Sequence, residues 1–119
     1  MKAPSTILDA VNAYINVVQM ARSEKTAATY RNALREFCIV LRARKINPET
    51  RSPTDLTENC ISWFITALKG YAPATERLYL TAASGFYNYL AGEGLVDLNL
   101  PRVKLLIRQR ARRPGVRLP

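Results

Sequence analysis

The sequence predicts an all-α fold of four helices with short connections, followed by a basic C-terminal arm. Three observations lead there. Four stretches repeat their apolar residues at the 3.6-residue period of an amphipathic helix. Each stretch is bounded by capping or helix-breaking residues. No run alternates apolar and polar residues long enough to make a convincing strand. With 119 residues, the chain can bury the core of one small domain without help from metal or disulfides.

The first helix is expected over about residues 6–21. Thr6 with Asp9 three residues on reads as a capping box, and Ile7, Ala10, Val11, Tyr14, Ile15, Val18 and Ala21 keep one apolar face. Arg22, Ser23, Glu24 and Lys25 make a short break, in which Ser23 can cap the next helix and Glu24 sits favourably at its positive end. The second helix, over residues 26–45, turns Tyr30, Ala33, Leu34, Phe37, Val40 and Leu41 inward. Its opposite side carries a row of guanidinium groups from Arg31, Arg35 and Arg42, because offsets of four and eleven residues return to one side of a helix. Arg44 and Lys45 suit its negative end, and the prolines and turn formers of residues 46–55 stop it.

Thr57 is the expected cap of a third helix with Cys60, Ile61, Phe64, Ala67 and Leu68 as its buried stripe, Trp63 at its flank and Gly70 closing it as the residue after the C-cap. Pro73 is placed to begin a fourth helix that runs to about Ala91 and ends at Gly92 and Gly94. Its inner face reads as Leu78, Tyr79, Ala82, Phe86, Tyr89 and Leu90, and its outer face as a polar stripe of Arg77, Thr81, Ser84 and Asn88. Beyond Gly94 the pattern weakens into an extended arm with one turn of helix at residues 103–107. The organisation is thus a helical domain over residues 1–100 and a basic arm over residues 101–119.

Charge narrows the partners. Eighteen Lys and Arg against nine Asp and Glu give +9, which favours a polyanion. Seven of the basic residues, Arg102, Lys104, Arg108, Arg110, Arg112, Arg113 and Arg117, fall after Pro101 with no acid among them, which leaves residues 1–100 at only +2. There is no histidine, so the commonest general base is missing, and no nucleophile–base pair, glycine-rich phosphate loop or zinc set can be assembled. No cofactor or metal is expected, and the chain is read as non-enzymatic by itself. Cys38 and Cys60 read as buried thiols of a reducing compartment. The N-terminus lacks the apolar run of a signal peptide and no stretch reaches the roughly 20 apolar residues of a membrane span, so the expectation is a cytoplasmic protein with no membrane partner.

Thr26-x-x-x-Tyr30-x-x-x-Leu34-x-x-Phe37, then Leu80-Thr-Ala-Ala-Ser-Gly-Phe86-Tyr-Asn-Tyr-Leu90, then a Gly-Leu-Val-Asp-Leu-Asn turn, together resemble the N-terminal core-binding domain of tyrosine recombinases, the phage integrase family. The likeness spans nearly the whole chain, and its ending, Arg-Arg-Pro-Gly-Val-Arg-Leu-Pro, is similar to the linker that leads into the family's catalytic domain. It implies a SAM-like orthogonal bundle that clamps duplex DNA at a recombination site, with the second and fourth helices facing the major groove. It also implies a catalytic domain elsewhere on the same polypeptide, oligomerisation on DNA, and a place at the nucleoid. The catalytic arginines, lysine, histidines and tyrosine of the family belong to that other domain and map onto nothing here. Two departures stand out: Ser84 replaces the arginine often found two residues before the Phe-Tyr pair, and Leu100 interrupts the usual Asn-Pro after the turn.

Phosphate contacts are therefore expected from Arg31, Arg35, Arg42 and the arm residues Arg102, Lys104, Arg108, Arg110, Arg112 and Arg113. Base-edge contacts are expected from Arg77, Thr81 and Asn88, with Ser84 on the same stripe. A free-standing helical DNA-binding regulator or nucleoid protein, or a protein-interaction domain with a disordered basic tail, are the alternatives that composition leaves open.

Overall fold

In the computed structural model, which describes residues 5–111 (backbone only for 110 and 111), α1 (Ile7–Ala21) starts where the Thr6 side chain accepts the Asp9 amide at 3.1 Å. Two more first-turn amides would otherwise lack partners. Ile7 and Leu8 donate instead to the carbonyls of Arg51 and Pro48, both at 2.9 Å, and this pins the start of α1 to the loop after the second helix. α2 (Glu24–Ala43) is capped by Ser23, whose oxygen accepts the Thr26 amide at 3.0 Å, as the sequence predicts. It ends with Lys45 left-handed at φ 65°, while the amides of Lys45 and Ile46 close back onto the carbonyls of Arg42 and Leu41. That pattern is a Schellman stop, normally given to glycine. A short 3₁₀ turn (Pro53–Asp55) leads to α3 (Glu58–Ala67), and α4 (Pro73–Gly92) begins at its proline.

The structure departs from expectation at three points. First, there are five described helices rather than four: the described part of the arm forms not one helical turn but a helix, α5 (Leu100–Ala111), which packs on α3 and α4. Asn99 organises its start, accepting the Arg102 amide on Oδ1 at 3.1 Å and donating its own amide to Glu58 Oε2 at 2.8 Å. Second, α4 is rotated about its axis relative to the expected face. Glu76, Leu80, Ala83 and Tyr87 are buried along with Ala82, Phe86 and Leu90, while Leu78 is 43% exposed. An α4 that packs against α1, α2, α3 and α5 needs a wider buried face than a one-sided helix. Third, Gly70 has no positive φ, and Ala21 and Ala67 are exposed.

The core is aromatic at its centre: Phe37 meets Phe64, Phe86 and Tyr87 edge-on at 5.3–6.5 Å between ring centroids, an arrangement that adds to the burial of their area. Tyr87 is fully buried and spans α4 to α3, its hydroxyl donating to the Thr57 carbonyl at 2.7 Å. Val103 of α5 is 1% exposed and belongs to the same core. Cys38 and Cys60 are both buried and free. No helix among the described residues is long and apolar enough to cross a membrane.

Candidate nucleic-acid interface

The polar stripe of α4 opens into a cleft of about 500 Å³ bounded by α1, the start of α2, α4 and α5. Thr81, Ser84 and Asn88 come to it from α4, and Lys104 and Arg108, one helical turn apart, come from α5. Arg22, in the break between α1 and α2, closes the third side. Tyr14 and Tyr30 line it as well, their rings stacked with centroids 6.4 Å apart. Among its described lining residues there are three cations, an amide and two aliphatic hydroxyls, and no carboxylate. Such a surface attracts a polyanion and offers it several hydrogen-bond donors.

Gly85 sets the depth of the cleft. A Cβ at this position would collide with the Tyr14 hydroxyl, so the absence of a side chain lets the Tyr14 ring lie against the α4 backbone. Burial holds the Tyr14 phenol up at about 12, with Tyr30 adding to the shift and Arg22 opposing it, so at neutral pH it stays a neutral group. The Thr81 hydroxyl donates to the Arg77 carbonyl at 2.9 Å, which keeps its oxygen available as an acceptor.

The expected site residues do not form one array. Arg31, Arg35 and Arg42 are all exposed on α2, but none lines the cleft. Arg35 donates to Asn32 Oδ1 at 3.2 Å, and Arg42 forms a solvent-exposed ion pair with Glu49 at 3.7 Å. Exposed pairs of this kind are weak, so Arg42 can exchange its partner. Arg77 is exposed beside the cleft-lining stripe, and Arg102 is exposed on α5 without lining the cleft. Arg110 lies on α5 with its side chain outside the described residues, as are Arg112 and Arg113 altogether. Arg44, read from the sequence only as a helix-end charge, lies 4.6 Å from the centre of the Trp63 ring, a cation–π contact across the end of α2.

Sequence reasoning does not single out Arg22, which it treats as part of a break, or the tyrosine lining of the cleft. A cation in the break between two helices is the available signal for the first. The tyrosines gave none, since their spacing is that of core residues.

Residues 11–94, running from within α1 to just past the end of α4, match the family described as phage integrase, N-terminal SAM-like domain. No curated protein and no solved structure matches the chain. With most of its length covered by that match and an all-helical fold, the chain belongs to the phage integrase N-terminal SAM-like domain family, and so to the setting of a tyrosine recombinase or integrase.

Proposed function

We propose that this chain is the sequence-specific, duplex-DNA-binding module of a site-specific tyrosine recombinase, acting in the cytoplasm on nucleoid DNA. The observation that carries this reading is the acid-free cleft in which Thr81, Ser84 and Asn88 meet Arg22, Lys104 and Arg108. Base edges are read by Arg77, Thr81 and Asn88, with Ser84 beside them, while the cations hold phosphates on either side. Arg31, Arg35 and Arg42 extend the phosphate contacts along α2. Residues 1–100 are the core-binding domain and residues 101–119 the basic link to a catalytic domain of the same polypeptide. The first part of that link, α5, docks back on the bundle and adds Lys104 and Arg108 to the binding face. Strand cleavage belongs to the catalytic domain, and the full-length protein assembles as an oligomer on its recombination site. In a nuclease-protection assay on duplexes enriched from a randomised pool, the chain should protect a discrete site at moderate salt. A chain that protects no duplex there is a protein-interaction domain, and the reading fails.

A further inference from the structure

A second, smaller depression of about 240 Å³ adjoins the cleft, lined by Arg22, Lys25, Thr26, Thr29, Tyr30 and Leu78. It shares Arg22 and Tyr30 with the larger cleft, so the two adjoin at those residues. Leu78 lies next to Arg77 and three residues before Thr81, on the edge of the polar stripe, and it is 43% exposed. A single exposed leucine is ordinary on a protein surface. This one differs in its company, because it is set among two cations, two threonine hydroxyls and a tyrosine.

A docking protein would need a broader apolar surface than one leucine among cations. The mixture instead complements an anionic partner that presents one small apolar group between its charges. On the major-groove edge of duplex DNA that group is the C5 methyl of thymine, flanked by phosphates. Resting on the DNA-binding reading above, we propose that Leu78 is a specificity-determining residue that packs against a thymine methyl, while Arg22 and Lys25 hold the phosphates beside it. Thr26 and Thr29 then line the side of the contact nearest α2.

The test uses the full chain and duplexes enriched by it from a randomised pool, with each thymine replaced in turn by deoxyuridine, which removes only the methyl group. Wild type should lose about fourfold in affinity at one thymine of the site, the worth of one buried methyl. Leu78→Ala should bind the parent duplex more weakly by a similar factor and be indifferent to thymine or uracil at that position. Leu78→Met should restore the discrimination, and the slope of affinity with salt should be the same for all three proteins. A wild type insensitive to every uracil replacement, as expected if Leu78 packs on a deoxyribose, overturns the inference while leaving DNA binding intact. So does a Leu78→Ala protein that keeps the full methyl penalty. If no duplex is enriched at all, the DNA-binding reading falls, and this inference with it.

Discussion

Tyr87 and Lys45 show how much single side chains carry in this bundle. The Thr57 side chain makes no hydrogen bond to the first-turn amides of α3, and its hydroxyl lies 3.8 Å from the Cys60 sulfur. Its carbonyl is held from the other side by the Tyr87 phenol. Tyr87→Phe keeps the ring and leaves that carbonyl only the Cys60 amide at 3.2 Å, so losing the phenol's bond should cost about 1 kcal/mol, read as a fall of several degrees in Tm. Lys45 is the opposite case. It is held at φ 65°, a conformation that is strained for any residue with a Cβ. Lys45→Gly should therefore stabilise the domain by about 0.5–1 kcal/mol, after the greater entropy of glycine in the unfolded chain is subtracted, and urea titration should show a higher midpoint at unchanged slope. The sequence marks Lys45 only as a charge at the end of its helix, and leaves Tyr87 off the inner face. Stop signals were sought at glycines, yet Gly70 has no positive φ and a lysine takes the left-handed position after α2.

Among the elements, α1, α2 and α3 were legible because each buries one stripe, and a single hydrophobic period locates both the face and the ends. α4 was harder, since four neighbours cover it and the apolar residues from Leu78 to Leu90 surround most of its circumference. Its predicted face was turned far enough to place Leu78 inside and leave Tyr87 out. Tyr87 is covered by Phe37 of α2 and by the start of α3, and a separate error is the reading of α5 as an extended arm with a single helical turn. Its signals were present: Asn99 as an N-cap, Pro101 in the first turn, and Val103, Leu106 and Ile107 at helical spacing. The run of basic residues masked them. Asn99→Ala should cost about 1 kcal/mol and lower amide protection along α5. Glu58, which accepts the Asn99 amide, is held below the usual carboxylate value of 4.5, first by that bond. A carboxylate with a depressed folded value stabilises above its unfolded value and loses that contribution as pH falls through the folded one. Protection factors in α5 should accordingly drop as pH is lowered below about 4.5, and Glu58→Gln should flatten that dependence.

At the scale of the whole molecule, two charge patterns govern behaviour. Inside, burial raises the Cys38 thiol to about 11 and the Tyr14 phenol to about 12, and holds the Tyr87 phenol well above its usual value. For each group the folded protein holds its proton more tightly than the unfolded chain. The corresponding stability is intact below the ordinary values of 9.0 and 10.0 and declines as pH rises toward the raised ones, so the midpoint of urea unfolding should fall progressively from about pH 9 upward. Outside, two groups of cations stand out among the described residues, the α2 row of Arg31, Arg35 and Arg42 and the cleft with Arg22, Lys104 and Arg108. A duplex gripped by both should bind with log K falling by about 0.9 per neutralised phosphate as log salt rises. Single Arg→Gln changes in the α2 row should weaken all duplexes alike and lower that slope by about 1 each, with sequence preference retained. Lys104→Gln and Arg108→Gln should lower it similarly, whereas Asn88→Ala should cost about 1–3 kcal/mol on the preferred site and leave the slope alone. Since four further arginines follow Arg108, the measurements belong in both the full chain and a chain ending at Ala111. If the α2 changes leave the slope unmoved in both, the arginine row is only a solvated surface, and if the shortened chain loses all duplex affinity, the terminal residues alone hold the DNA.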